Sequence, residues 1–194
     1  YLPTYVTGVM EQSATVAGFT LTAMSIGWPI ASFFSGKLLI KFGYFKTSLA
    51  GGVFLVIGTL LFVLMEPGFG PFWAAMSSFF VGVGMGLTST SFIVSIQAAV
   101  SYEQRGSATA SNVFMRNLGS TIGVALLGSL LNSSLLKYFN ERELNLNLNS
   151  VNELLTQKGR EAIPAETLLY LQDALGGALQ NVYGVTALFA GISF

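Results

Sequence analysis

One guanidinium stands inside a long uncharged stretch. Arg116 is the only charged residue between Arg105 and Lys137. Asn112, Arg116 and Ser120 recur every four residues, so on a helix they share one face. Asn117 and Asn132 belong to the same stretch, and Gln97 lies near the end of the preceding apolar run. A charge held in an apolar environment marks a substrate path, a gate or an ion route by default. The plainer alternative is an arginine that snorkels to the nearer interface or makes a structural pair.

Other chemistry is excluded by residue type. The chain has no histidine and no cysteine, which removes the commonest general base, the usual metal ligands and thiol chemistry. No G-x-x-x-x-G-K-[ST] loop is present, so no phosphate-binding motif supplies ATP. No carboxylate falls in the middle of an apolar run. Glu66 and Glu103 sit at run ends, so a proton carrier is expected outside this chain. No catalytic residue, metal site or cofactor is predicted, and the chain reads as a non-enzyme. No basic stripe interleaves with aromatics, which argues against nucleic acid as a partner.

The elements that position these residues follow from composition. Hydrophobic residues make up 52% of the 194 residues and charged residues 9%, with nine basic and nine acidic groups. A soluble domain carries about 25% charged residues. The mean hydropathy is +0.64. Such a chain has too little polar surface for water, and the lipid bilayer is its expected surroundings. A crossing helix needs about 20 apolar residues. Charge positions and turn residues divide the sequence into the tail of one span (1–10), then 14–36, 47–65, 72–100, 110–136 and 176–194. Leu49 to Leu64 and Ile122 to Leu131 lack the alternation of barrel strands, so helices are predicted.

Pro67-Gly68-Phe69-Gly70-Pro71 marks a tight turn before Phe72 and Trp73, an aromatic pair suited to an interface. Lys37, Lys41, Lys46 and Arg105 place loops 37–46 and 101–109 in the cytoplasm of a multi-pass plasma-membrane protein. Residues 1–136 are assigned to transmembrane helices. Residues 137–175 are assigned to an external loop with an amphipathic helix starting near Pro164. Residues 176–194 form the last span, whose completeness stays open. The chain opens and closes inside apolar stretches and does not start with Met, which reads as a piece of a longer protein.

Small residues mark helix contacts in lipid, where close packing replaces water exclusion. Ser78, Gly82, Gly86 and Thr90 recur on one face of 72–100, and Gly119 and Gly123 form a small-xxx-small unit in 110–136. Thr22, Ser25, Pro29, Ser32 and Gly36 trace a third stripe, with Pro29 removing one backbone bond in mid-helix.

The segment Gly36-Lys37-Leu38-Leu39-Ile40-Lys41-Phe42-Gly43 resembles the G-x-L-x-D-R-x-G loop signature of the major facilitator superfamily. Ile40 replaces the acid and Lys41 keeps the basic charge. Gln104-Arg105-Gly106 through Arg116-Asn117-Leu118-Gly119 and Ile122-Gly123-Val124-Ala125 resembles the fourteen-helix drug:proton antiporter branch of that family. Tyr1-Leu2-Pro3-Thr4-Tyr5 and Gly82-Val83-Gly84-Met85-Gly86-Leu87 fit the same branch. The resemblance implies an all-α membrane fold, here the C-terminal helical bundle of a transporter, with the N-terminal half of the same chain as its partner. It implies proton-coupled efflux of a lipophilic small molecule by alternating access. The helices holding 1–10, 14–36, 72–100 and 110–136 would line the cavity, with Phe19, Met24, Trp28, Phe92 and Phe114 suited to lipophilic ligands. Two other readings stay open: a dedicated metabolite or lipid exporter of the same fold, and a non-transporting membrane sensor or scaffold.

Overall fold

The computed structural model describes residues 1–142, 144 and 146–193. Glu143 and Asn145 in the Asn-rich segment, and Phe194 in the last span, lie outside the described residues. Among the described residues seven α-helices follow one another: α1 (Leu2–Gly8), α2 (Ala14–Val63), α3 (Gly70–Ala99), α4 (Arg105–Glu141), α5 (Leu148–Leu154), α6 (Gln157–Ala162) and α7 (Ala165–Ile192). Two short 3-10 turns, Pro67–Phe69 and Tyr102–Gln104, precede α3 and α4. Among the described residues there is no strand.

Helices α2, α3, α4 and α7 are long and apolar enough to cross a membrane. At 1.5 Å per residue, α2 would be about 75 Å long if straight, more than twice the hydrocarbon thickness. Gly43 resolves this. It is the one non-helical residue inside α2, with φ 79° and ψ 172°. That combination is open to glycine and strained for any residue with a Cβ. The Thr47 hydroxyl donates to the Gly43 carbonyl at 2.9 Å and steadies the first turn after the bend. The chain therefore folds back as two arms, 14–42 and 44–63. Residues 37–46 were expected as a loop, but they are helical on both sides of a single glycine. The run of helix-compatible residues Lys37 to Phe42 lets the first arm extend past the span. Likewise α4 begins at Arg105, so the expected 101–109 loop is shorter than the charge spacing suggested.

Helix α3 lies between the two arms. Its first contacts run parallel: Gly82 faces the Met24 carbonyl and Gly86 faces the Trp28 carbonyl. Its second set runs antiparallel: Gly84 faces Gly51 and Leu55, while Val81 and Ser77 face Gly58. The Trp73 indole donates to the Leu61 carbonyl at 2.8 Å and ties the start of α3 to the end of the second arm.

Residues 146–164 do not trail from the bundle. Val151 and Leu154 of α5 are buried with Leu2, Tyr5 and Val6 of α1 and Leu171, Leu175 and Leu179 of α7. Asn147 starts α5, its side chain accepting the Asn149 and Ser150 amides at 2.9 and 3.1 Å. Arg160 of α6 donates to the Thr7 carbonyl at 2.9 Å, satisfying a backbone acceptor at the end of α1. The amphipathic stretch after Pro164 and the final apolar stretch are one continuous helix, α7. The short helices form a cap over one end of the bundle. The opposite end gathers Gly43, the Tyr102–Gln104 turn and the end of α7, where Phe45, Phe92 and Ser193 line one crevice.

Candidate functional site

The small residues of the first arm divide into two faces. Ala17, Thr20, Gly27, Ala31 and Ser35 are buried. Gly27 lies against Phe79 and Val83 of α3, and Ala31 against Gly86. The stripe Thr22, Ser25, Pro29 and Gly36 is exposed, with Ser32 at its edge. The predicted stripe is thus not the packed face of this helix. Spacing alone could not separate the two, because small residues occupy both. Thr22 and Ser25 turn their hydroxyls onto the Gly18 and Leu21 carbonyls of their own helix. The helix passes through Pro29 without a non-helical residue. The exposed face sets these small residues beside the large exposed side chains of Phe19, Ile26 and Phe33, and at its edge the Ser32 hydroxyl donates to the Gly86 carbonyl at 3.4 Å.

Glycines on α3 serve two neighbours. A Cβ at Gly82 would lie 2.5 Å from the Met24 carbonyl oxygen, and one at Gly86 2.5 Å from that of Trp28. Gly84, between them, would meet the Gly51 carbonyl at 2.7 Å on the other side. Their partners Gly27, Gly51 and Gly58 were not singled out from sequence, although Gly51 and Gly58 stand seven apart on one helical face.

Helix α4 is different. Arg116 is exposed and makes no hydrogen bond or ion pair among the described residues; Asn112, one turn earlier, is half-buried. Phe114 is 62% exposed. A Cβ at Gly119 or Gly123 would meet nothing within 4 Å. The expected small-xxx-small contact therefore has no partner helix among the described residues: α4 leans on its neighbours near its two ends, and at mid-helix the Tyr1 hydroxyl donates to the Val124 carbonyl. At one end the Gln97 amide donates to the Thr109 hydroxyl at 3.0 Å, and the Arg105 guanidinium donates to the Gln97 carbonyl at 3.1 Å. Gln97 is thus a joint between α3 and α4 instead of a free cavity group. Near the other end, Leu135 and Phe139 are buried in the core under the cap. Gly123→Leu is accordingly expected to lower stability by about 1 kcal/mol or less, as at an open surface. Thermal unfolding of the purified protein in detergent checks this.

Trp28 is half-buried on the first arm. Phe92 faces the second arm in the crevice with Phe45 and Leu49, away from the first. Of the signature residues, Gly43 makes the bend. Gly36 has open space around it, and Lys41 is exposed with its ammonium 5.2 Å from the Phe42 ring centroid. The site residues do not converge into one pocket: Arg116 and Phe114 are exposed on α4, Asn112 and Trp28 are half-buried, and Gln97 joins α3 to α4.

At the cap end, Tyr138 donates to Asp173 at 2.6 Å, and Arg142 pairs with Asp173 at 3.3 Å while lying over the Tyr138 ring. Desolvation, reinforced by the Asp173 carboxylate, raises the Tyr138 phenol above its ordinary range. The trio ties α4 to α7. None of the carboxylates stands at mid-helix on the free faces, and no cluster of metal-ligating residues occurs among the described residues.

Residues 1–124 match the profile of the Major Facilitator Superfamily. The chain is 26% identical to Multidrug resistance protein 3 of Bacillus subtilis (strain 168), across 98% of this chain and 41% of that protein. It is 29% identical to Multidrug transporter protein MdtP of the same organism, across 69% of this chain and 25% of that protein. It is 27% identical to a tetracycline resistance determinant of Streptomyces rimosus, across 67% of this chain and 38% of that protein. The chain thus spans between a quarter and about two fifths of the relatives' lengths. No solved structure matches. With four long apolar helices, one of them doubled back at a glycine, and a family profile covering residues 1–124, this chain is a multi-pass membrane protein that belongs to the Major Facilitator Superfamily.

Proposed function

We propose that this chain is the C-terminal bundle of a secondary active exporter that moves lipophilic compounds out of the cell by alternating access, driven by proton entry. The observation that carries this reading is the free polar face of α4. Arg116 lies about 16 Å along the helix from Arg105. It projects from an apolar helix with no protein partner among the described residues. Such a group is costly in lipid unless it faces a wet cavity or a second set of helices. The exposed face of α2, with Thr22, Ser25 and Pro29 beside Phe19 and Phe33, offers a second wall for the same cavity. The likeness to proteins named for multidrug and tetracycline resistance supports export of drug-like compounds.

The Gly43 end, with Lys37, Lys41, Lys46 and Arg105, is then cytoplasmic and the cap external, in the plasma membrane. No histidine occurs and no carboxylate stands on the free faces, so the proton carrier belongs to the N-terminal half, the partner of this bundle.

The test is efflux by the complete protein in proteoliposomes under an imposed pH gradient. Ethidium and the neutral dye N-phenyl-1-naphthylamine serve as cargo. Gradient-dependent efflux of either supports the reading; none of either overturns it. Arg116→Ala is expected to slow efflux about tenfold, about 1.4 kcal/mol of lost stabilisation. Lys46→Ala is expected to stay near the wild-type rate. Equal, undiminished rates in both would remove the special role of Arg116.

A further inference from the structure

A chamber of about 340 Å³ lies under the cap, away from the free faces just described. Its walls are Thr4 of α1, Leu135 and Asn132 of α4, and Leu175 of α7; Val151 and Asn152 of α5 form the roof. The volume falls within the range of small-molecule sites. The chemistry of the lining is specific. Aliphatic groups dominate, and no lining residue is charged or aromatic. The side chains of Thr4, Asn132 and Asn152 are neutral and make no hydrogen bond among the described residues, so all three are available to a ligand. A cation entering here would lose water and meet neither a carboxylate nor an aromatic face. A neutral amphipathic molecule would bury its apolar part and satisfy three polar groups.

Two hydrogen bonds hold α1, which supplies one wall, in place. Tyr1 donates to the Val124 carbonyl at 3.2 Å, bridging α1 to α4 nearer the middle of the bundle. Arg160, through the Thr7 carbonyl, fixes the cap to α1 above it. We infer that this chamber is a binding site for neutral amphipathic compounds, distinct from the central cavity and placed where exported cargo would leave. Its role as an exit vestibule rests on the exporter reading; the binding itself does not.

Labelling tests it in the complete protein, stripped of any cysteine elsewhere and held in nanodiscs. Asn152→Cys is exposed to water and is labelled with fluorescein maleimide. Bound N-phenyl-1-naphthylamine should slow labelling by the factor 1 + [L]/Kd, about tenfold at about nine times Kd. Glu166→Cys, exposed and outside the chamber, should label at an unchanged rate. Adding Asn132→Trp should abolish the protection of Asn152→Cys. If Asn152→Cys does not fold, Asn132→Cys serves as the reporter. Absence of protection, or equal protection at Glu166→Cys, overturns the site. Equal protection by tetraphenylphosphonium overturns its preference for neutral ligands. Protection in a protein that moves no compound would sink the exporter reading and keep the chamber; efflux without protection would do the reverse.

Discussion

Gly82→Leu is expected to deplete folded protein. The space that a Cβ needs at Gly82 is already taken by the Met24 carbonyl oxygen, 2.5 Å away, with the Met24 Cα at 3.0 Å. These are backbone atoms, which cannot swing aside as a side-chain tip can. Inserting a leucine forces α3 off the first arm of α2 and opens the neighbouring contact at Gly86. Overpacking of this kind costs about 3 kcal/mol at its upper end. In lipid no hydrophobic effect pulls the helices back together. The measurement is monodisperse yield and thermal midpoint in detergent, with Gly119→Leu as the open-space comparison. A Gly82→Leu protein as stable as wild type would refute the interlocked contact.

The second large effect is expected at Gly43→Val. Nothing crowds Gly43, so volume is not the issue. Its φ of 79° with ψ of 172° is the issue, because a β-branched residue there is severely strained. About 2–3 kcal/mol of strain is expected. The chain would relieve it by straightening toward one long helix, against the contacts that hold both arms on α3. Gly36→Val, in open space at ordinary φ, is the matched control and should unfold at the wild-type temperature. Equal unfolding temperatures for both variants would show that the bend does not depend on glycine at Gly43.

The apolar runs were legible because lipid demands them: charge positions, with the turn at Pro67 to Pro71, mark off the crossings. Loop lengths were not. Lys37 to Phe42 and Gly106 to Thr109 look like loop by charge and polarity, yet nothing in them breaks a helix, so the helices continue. Small residues marked α3 as a place for close approach, and its glycines meet backbone on both sides. On the first arm the same signal pointed to the exposed stripe at Thr22, Ser25 and Pro29, because a small residue facing open space is indistinguishable in sequence from one facing another helix. The cap was the least visible element. Its anchor, Arg160 on the Thr7 carbonyl, joins residues 153 positions apart and leaves no local pattern. Gln97 looked like a cavity group because polarity in an apolar run does not reveal whether a neighbour already satisfies it.

The double-sided grip on α3 has a mechanical consequence. Glycine seats at Gly82 and Gly86 on one flank, and at Gly84 on the other, leave that rod no room to roll or slip past either companion. Those three crossings would travel as a single solid slab. Any change of shape would then fall on the loosely held member, the middle of α4.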